Sequence, residues 1–217
     1  RFIHEARAAS ALEHQNIGAV HDIEETPDGQ IFICMSYYEG QTLRDKLRGG
    51  PLSLADAVRI GRQLAEGLER AHRSAMIHRD VKPANLIITP AGEVKIVDFG
   101  LARLADQTRI TKSGVTIGTA AYMAPEQALG EPTDERTDIW AAGVVLYEMI
   151  AGRLPFKGDY DLAVAYSIIN ESPPSLAGLN PAAPPELVRI VSRCLAKKPA
   201  DRYAHAAELG ADLARLQ

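Results

Sequence analysis

The chain is organised around a short polar segment, residues 78–85, which reads His-Arg-Asp-Val-Lys-Pro-Ala-Asn. Apolar residues at helical spacing precede this segment and predict a long amphipathic helix with one buried face. Two short apolar strands within residues 86–97 follow it, around a Thr-Pro-Ala-Gly turn, and lead into Asp98. We therefore expect a strand hairpin that brings Asn85 and Asp98 side by side.

The spacing of the polar side chains favours phosphoryl transfer, in which a protein mainly positions groups and neutralises charge. Asp80 is suited to orient an attacking hydroxyl, and Lys82 to contact the transferred phosphoryl group. Asn85 and Asp98 both offer oxygen ligands. Two such side chains suffice for Mg²⁺, which keeps several waters and uses substrate phosphates as further ligands.

The remaining sequence predicts an α+β fold in which a helix and two strands precede a mostly helical block. Strands are predicted at residues 17–23, 31–35, 86–88 and 94–97. Helices are predicted at residues 1–14, 42–49, 53–71, 138–151, 161–170, 184–196 and 205–216. Two segments have no clear period: residues 101–119, which we expect to form a mobile loop, and the proline-rich residues 172–185.

Composition excludes some classes of protein. The net charge of −4 and the absence of a basic run argue against a general nucleic-acid surface. The longest apolar stretch, residues 139–151, is shorter than the roughly 20 residues of a membrane span and predicts a buried helix. We expect Cys34 and Cys194 to be reduced core residues, which favours a cytoplasmic location.

Three motifs in this order resemble those of protein kinases, and the resemblance covers essentially the whole chain. Residues 78–85 resemble the kinase catalytic loop, Asp98-Phe99-Gly100 the magnesium loop, and Ala124-Pro125-Glu126 the end of the activation segment. The residues within these motifs are similar to those of bacterial eukaryotic-like Ser/Thr kinases. The resemblance implies a two-lobe fold, with a small-lobe remnant at residues 1–38, comprising one helix and two strands, on a large lobe at residues 39–217.

The resemblance also implies roles for the polar residues. Asp80 is the expected catalytic base, Lys82 the expected phosphate contact, and Thr119 the residue that bridges them. Asn85 and Asp98 are the expected Mg²⁺ ligands. The structural alternative for Asp80 is a turn cap in a surface loop, but Lys82 and Asn85 at their spacing favour the functional role.

ATP is the implied nucleotide. Glu5 resembles the helix glutamate that holds the ATP-contacting lysine, although a solvated helix Glu is the alternative. Residues that resemble the gatekeeper and hinge, and others expected to contact the nucleotide, are Met35, Ser36, Tyr37, Tyr38, Lys82 and Ile87.

Other residues are expected to regulate or support the site. Arg79 resembles an arginine that pairs with a phosphorylated activation loop, and Thr111 and Ser113 are the favoured phosphosites over Thr108 and Thr116. Residues expected to be structural are His78, Phe99, Gly100, Glu126, Asp138 and Arg202, with Glu126 paired to Arg202 and Asp138 bound to the catalytic-loop backbone.

The kinase pattern is incomplete in one respect. The sequence contains neither the Gly-rich loop that covers ATP phosphates nor the strand lysine that pairs with Glu5. The chain also begins at Arg1 without an initiator Met, so we expect a piece of a longer protein that by itself binds nucleotide poorly.

The leading interpretation is a Ser/Thr kinase acting on protein substrates, with activation in pairs as one option. It would lie in the cytoplasm, as a soluble domain or as the intracellular part of a membrane-anchored kinase. A kinase-like scaffold or binding module and a small-molecule kinase are the alternatives.

Overall fold

The computed structural model describes residues 12–26, 31–99 and 120–216. Several residues singled out above therefore lie outside the described residues: Glu5, Gly100, Thr108, Thr111, Ser113, Thr116 and Thr119. The predicted helix at residues 1–14 and the predicted loop at residues 101–119 lie largely or wholly outside them as well.

The first sheet is an antiparallel pair of strands, β1 (Val20–Glu25) and β2 (Ile31–Met35). Strand β1 begins later than the predicted residue 17, because the main chain there pairs with a different part of the molecule. Ile17 forms a parallel bridge with Ile96, and the Gly18 N–H donates to the Ile96 carbonyl at 2.7 Å.

The prediction that Cys34 is a core residue is wrong. Cys34 is exposed on β2, whereas Cys194 is buried as predicted. Phe32 and Met35 on the same strand are also 43% and 37% exposed. Within the described residues this sheet has only two strands. The apolar sequence of β2 predicted burial, but the side chains of these three residues remain exposed in this small sheet.

The second sheet has the strand order β3–β4–β5 and is antiparallel throughout. Its strands are β3 (Gln41–Thr42), β4 (Leu86–Ile88) and β5 (Val94–Ile96). The turn between β4 and β5 closes through the Gly92 N–H, which donates to the Thr89 carbonyl at 2.8 Å. Gly92 has φ +81°, which glycine adopts without steric cost. The expected hairpin before Asp98 is confirmed.

Helices α1 (Leu43–Leu47) and α2 (Leu54–Arg73) begin one residue after the predicted starts, because Thr42 and Ser53 are their N-caps. Thr42 Oγ1 accepts from the Asp45 N–H, and Ser53 Oγ accepts from the Asp56 N–H, both at 3.1 Å. The Asp56 carboxylate in turn accepts from the Ser53 hydroxyl at 2.9 Å. The buried face of α2 consists of Ala57, Val58, Ile60, Gly61, Leu64, Ala65, Gly67, Leu68 and Ala71.

The centre of the core is helix α4 (Arg136–Ala151), which follows the short helix α3 (Pro125–Ala128). Nearly every residue of α4 is buried, as its near-continuous apolar sequence predicted, and Gly152 ends the helix at φ +66°. Helix α4 packs against α2 on one side. Trp140 of α4 stacks on Phe156 with ring centroids 5.6 Å apart.

The C-terminal part adds four helices to this core within the described residues: α5 (Asp161–Asn170), α6 (Leu176–Leu179), α7 (Pro185–Cys194) and α8 (Ala206–Ala214). The predicted helices are confirmed here, with α7 and α8 somewhat shorter than predicted. The segment predicted to be irregular contains α6, whose four residues are too few to show a period. Within the described residues, no helix has both the length and the apolar character of a membrane span.

Candidate active site

The catalytic-loop backbone is held by the carboxylate of Asp138, which is fully buried near the start of α4. Its oxygens accept from the N–H of His78 at 2.8 Å and from the N–H of Arg79 at 2.7 Å. Arg79 has φ +66°, a conformation that costs about 1–3 kcal/mol outside glycine and persists only when its surroundings enforce it. Gln127 of α3 contributes by donating to the Arg79 carbonyl at 3.1 Å. The expected contact of Asp138 with this loop is present.

His78 connects the catalytic loop to the strand end that leads to Asp98. Its Nδ1 accepts from the Asp80 N–H at 3.2 Å, and its Nε2 lies 3.0 Å from the Val97 carbonyl. A carbonyl only accepts, so these two bonds together assign the neutral ring with its proton on Nε2. The ring also packs against Phe99 with centroids 4.6 Å apart. His78 thus positions both acidic residues of the site from a fully buried location.

Asp80 is the point at which the polar side chains of the loop converge. Lys82 Nζ lies 2.6 Å from Asp80 Oδ2. Asn85 Nδ2 donates to the Asp80 carbonyl at 2.9 Å and to Asp80 Oδ2 at 3.2 Å. The Asp80 and Lys82 side chains are 24% and 21% exposed, so both remain accessible to a substrate. This arrangement can accept a proton at a carboxylate and bind an anion at an ammonium within one small volume.

Asn85 and Asp98 provide the oxygens that a magnesium ion needs. Asn85 uses its amide nitrogen on Asp80, which leaves its side-chain oxygen for another partner. The Val97 N–H donates to the Asn85 carbonyl at 2.9 Å and so places Asp98 next to Asn85 along the adjoining strand end. Asp98 is exposed, with φ +64°, and its carboxylate has no hydrogen bond or ion pair to another described residue.

These residues fit Mg²⁺, which prefers oxygen ligands and is commonly held by one or two carboxylates together with waters and phosphates. No cluster of three or more His, Cys, Asp or Glu residues with metal-binding geometry occurs in residues 12–26, 31–99 and 120–216. The donor set of Asn85 and Asp98 does not require such a cluster.

The residues expected to contact adenine lie on β2, on β4 and in the connector after β2. Tyr37 is 91% exposed, and Ile87 is half-buried on β4. The Ser36 N–H donates to the Ala19 carbonyl, and Tyr38 Oη accepts from the Ala19 N–H, both at 2.9 Å. Two of the expected hinge groups, the Ser36 N–H and the Tyr38 hydroxyl, are therefore used inside the protein.

The buried pair expected between Glu126 and Arg202 is present. Arg202 donates to both oxygens of Glu126, each at 2.8 Å, and both side chains are almost fully buried. Arg202 also donates to the carbonyls of Arg136, Ala196 and Lys197, which satisfies its remaining N–H groups. Burial alone would raise the pKa of Glu126, but the hydrogen bonds and charge of Arg202, together with hydrogen bonds from the Glu126 backbone and the Thr137 hydroxyl, outweigh it and hold the pKa below its usual value.

A further acidic side chain, that of Glu148, is half-buried beside Tyr122. Tyr122 Oη donates to Glu148 Oε2 at 2.6 Å. Burial raises the pKa of Glu148, and the bond from Tyr122 only partly opposes this. Burial together with the neighbouring Glu148 also raises the pKa of Tyr122. The pair joins the segment around Tyr122 to α4.

Sequence reasoning missed three residues that support the site. His72 at the end of α2 lies 2.8 Å from Asp138, Gln127 binds the Arg79 carbonyl, and Thr137 donates to Glu126 at 2.9 Å. Gln127 also accepts from the Ala124 N–H at 2.9 Å, the geometry of a helix cap. Its position three residues after Ala124 was the one available sequence signal, because Gln is typical there in capped helices.

Comparisons with known proteins agree with this geometry. The family model described as "Protein kinase domain" matches residues 1–212. "Serine/threonine-protein kinase PknB" of Mycolicibacterium smegmatis is 44% identical over 222 aligned positions, covering 100% of this chain and 36% of that protein. "Probable serine/threonine-protein kinase CE0033" of Corynebacterium efficiens is 44% identical, covering 100% of this chain and 34% of that protein.

"Serine/threonine-protein kinase PknL" of Mycobacterium tuberculosis is 41% identical, covering 98% of this chain and 53% of that protein. The chain spans about a third of the length of the two relatives described first and about half that of PknL. A family match over nearly the whole chain, with these relatives and the convergence of Lys82 and Asn85 on Asp80, leads to one conclusion: the chain belongs to the protein kinase family and has its α+β fold.

Proposed function

We propose that this chain carries the catalytic residues of a serine/threonine protein kinase, which transfers the γ-phosphoryl group of ATP to Ser or Thr hydroxyls of protein substrates. The observation that carries the proposal is the contact of Lys82 and Asn85 with one oxygen, Asp80 Oδ2. The printed names of the relatives, each a serine/threonine-protein kinase, support it.

Asp80 is the residue that accepts or orients the proton of the substrate hydroxyl. Its backbone is fixed through His78, and its carboxylate is oriented by Lys82 and Asn85. Lys82 supplies a positive charge beside this carboxylate, suited to bind the phosphoryl group during transfer. We assign Thr119, which lies outside the described residues, as the bridge between them.

Asn85 and Asp98 would hold Mg²⁺, and the ion bound with ATP would supply neutralisation of phosphate charge. Met35, Ser36, Tyr37, Tyr38 and Ile87 are the proposed contacts with the nucleotide, and Glu5 is the proposed partner of a lysine that this sequence does not contain. The expectation that the chain by itself binds ATP weakly stays a prediction.

Regulation by phosphorylation is proposed for Arg79 with Thr111 and Ser113. The Arg79 backbone is held at both its N–H and its carbonyl, so its half-buried side chain starts from a defined position beside Asp80. A phosphate adds nearly two negative charges, which an arginine can bind through paired hydrogen bonds. Activation in pairs remains a prediction that no contact of the described residues addresses.

The alternative from another class is a kinase-like scaffold that works through surface contacts. A scaffold has no need of a lysine and an asparagine directed at one oxygen of an accessible carboxylate, or of two oxygen ligands at adjoining strand ends. The polar cluster therefore favours the enzyme.

The test measures phosphoryl transfer from labelled ATP to a Ser- or Thr-containing peptide. It compares the complete native protein with its Asp80→Asn variant. General-base catalysis contributes about 10²- to 10⁴-fold, so we expect kcat to fall by at least about 10²-fold while the KM for ATP changes little. Asp159→Asn, the same change at an exposed position, is the control and should keep full activity. Equal incorporation by the native protein and Asp80→Asn would contradict the proposed mechanism.

A further inference from the structure

The peptide that joins Arg79 to Asp80 lies directly before the proposed catalytic base, and both of its polar groups are bound by side chains. Its carbonyl, that of Arg79, accepts from Gln127 Nε2 at 3.1 Å. Its N–H, that of Asp80, donates to His78 Nδ1 at 3.2 Å. Because a peptide unit is planar, the two contacts together fix the plane from which the Asp80 side chain projects.

Arg79 needs this support because its main chain is in an unfavourable conformation. It has φ +66°, in the left-handed region that residues other than glycine adopt only where their surroundings enforce it. The Arg79 N–H is held by Asp138 at 2.7 Å. Among the described residues, Gln127 is the one hydrogen-bond donor to the Arg79 carbonyl. Loss of that donor would leave the Arg79–Asp80 peptide free to turn, and Asp80 would turn with it.

The other end of the Gln127 amide is bound to a different part of the chain. Gln127 Oε1 accepts from the Ala124 N–H at 2.9 Å, at the start of α3. An N–H only donates and a carbonyl only accepts, so these two partners determine which end of the amide faces which. Ala124 begins the Ala-Pro-Glu motif at the end of the activation segment. One side-chain amide therefore joins this motif to the catalytic loop.

Helix α3 is itself anchored to the core, so Gln127 contacts the loop from a fixed position. Glu126 precedes Gln127, and its carboxylate accepts from Arg202 at 2.8 Å and from Thr137 at 2.9 Å. The side chains of Glu126, Thr137 and Arg202 are all buried. Groups supported in this way keep their geometry within the narrow limits that catalysis needs. We therefore expect Gln127 to transmit the position of the Ala-Pro-Glu motif to the loop.

We propose that Gln127 is a positioning residue of the kinase reaction, which couples the end of the activation segment to the catalytic base by fixing the Arg79–Asp80 peptide. The inference rests on the proposed function, in which Asp80 accepts or orients the proton of the substrate hydroxyl. A shift of Ala124 reaches Asp80 through this amide. Neither hydrogen bond of Gln127 involves a residue proposed to contact the nucleotide, so its loss should lower kcat and leave the KM for ATP nearly unchanged.

The test is Gln127→Glu in the complete protein, assayed for phosphoryl transfer to a Ser- or Thr-containing peptide between pH 8 and pH 5. The introduced carboxylate still accepts from the Ala124 N–H, but it donates to the Arg79 carbonyl only when it is protonated. At pH 8 we expect kcat to fall by about 5- to 100-fold, the scale of one backbone group left without its partner. The ratio of variant to native kcat should rise at least about threefold toward pH 5, as the carboxyl approaches its ordinary pKa of about 4.3.

A second variant, Gln127→Met, separates the effect of this proton from other effects of the change. Methionine has a similar length, forms neither hydrogen bond and does not titrate, so kcat should fall while its ratio to the native kcat stays constant with pH. This variant also tests the proposal if the charged variant does not fold. Gln15→Glu, the same change as in the charged variant at an exposed position, is the control and should keep the native kcat at each pH.

An NMR measurement provides a readout that does not depend on activity. With ¹⁵N-labelled aspartate, the Asp80 amide resonance reports hydrogen bonding at the preceding carbonyl. It should shift in Gln127→Glu at pH 8 and return toward the native position at pH 5. If the resonance behaves in this way but the native protein transfers no phosphoryl group, the proposed function fails and the contact between Gln127 and the loop stands.

Three outcomes overturn the proposal. The first is a native kcat at pH 8 in Gln127→Glu or Gln127→Met. The second is a kcat ratio for Gln127→Glu that does not rise toward pH 5, or that rises no more than the ratio for Gln127→Met. The third is an Asp80 amide resonance that is the same in Gln127→Glu and the native protein at pH 8.

Discussion

At the residue scale, two buried acidic side chains do most to order the site, and each is satisfied in a different way. Asp138 accepts from two main-chain N–H groups and from His72, so it is bound by donors of the loop that it positions. Glu126 is bound by the guanidinium of Arg202 and the hydroxyl of Thr137. The partners of Glu126 favour its ionised form and hold its pKa below the usual value, so the contribution of this carboxylate to stability depends on pH.

Acid is expected to weaken the Glu126–Arg202 pair. The pKa of Glu126 lies below its unfolded value of about 4.3, so its contribution to stability is complete above that pH and is lost as pH falls through the folded pKa. Glu126→Gln should lower the free energy of unfolding at pH 7 by about 3–5 kcal/mol, because it leaves the Arg202 charge buried without a counter-ion. It should also flatten the loss of stability between pH 5 and pH 3, measured by urea unfolding. Parallel pH curves for the two proteins would disprove the linkage.

At the element scale, α4 packs closely against its two neighbouring helices at glycine positions, Gly143 of α4 itself and Gly61 of α2. A Cβ added at Gly143 would lie 2.4 Å from Cys194 Cβ on α7. On the facing surface of α2, a Cβ added at Gly61 would lie 2.5 Å from Leu146 Cδ2 of α4. Both helices therefore approach α4 more closely than a larger side chain permits. The position of Asp138 near the start of α4 depends on this packing.

Gly143→Ala tests the contact between α4 and α7. Overpacking costs about 1–3 kcal/mol, and the better helix propensity of Ala recovers at most about 1 kcal/mol, so we expect net destabilisation in thermal or urea unfolding. Gly178→Ala is the matched control, since the nearest atom to its added Cβ is 4.0 Å away in the short helix α6. That variant should be neutral or slightly stabilised. If Gly143→Ala and Gly178→Ala are equally stable, the close approach of α4 and α7 at Gly143 does not limit their packing.

At the scale of the whole molecule, a few main-chain contacts join the β1–β2 sheet to the helical part within the residues that the structure describes. Gly18 binds the Ile96 carbonyl, and the Ile96 N–H donates to the Asn16 carbonyl at 2.9 Å. Tyr38 adds a contact by accepting from the Ala19 N–H, while Lys95 lies over its ring at 5.4 Å. Because these contacts are few, we expect this junction to open locally before the helical core does.

Tyr38→Phe removes the acceptor for the Ala19 N–H and should loosen the junction. One hydrogen bond contributes about 0.5–1.5 kcal/mol, so amide exchange at Ala19 should accelerate by roughly twofold to tenfold. Amides in the middle of α2 should exchange at an unchanged rate. Tyr37→Phe removes the same hydroxyl from the neighbouring, 91% exposed ring and serves as the control. If both variants change Ala19 exchange alike, the Tyr38 contact does not hold the junction.

Local patterns in the sequence were enough to predict much of this protein. The caps at Thr42 and Ser53, the hairpin of β4 and β5, and the buried character of α4 follow from turn chemistry and apolar periodicity, which act over a few neighbouring residues. The spacing of Asp80, Lys82 and Asn85 likewise defines a cluster within one loop.

Contacts between distant segments were decided only by the tertiary structure. Lys197 lies three residues beyond the end of α7, and its Nζ donates to the Ile168 carbonyl near the end of α5, 2.5 Å away. The exposure of Cys34, the use of the Ser36 N–H within the protein and the pairing of His72 with Asp138 also escaped prediction. Sequence periodicity indicates which face of a helix or strand is apolar. The partner of a polar group depends instead on how distant elements pack, and a local sequence pattern does not determine that packing.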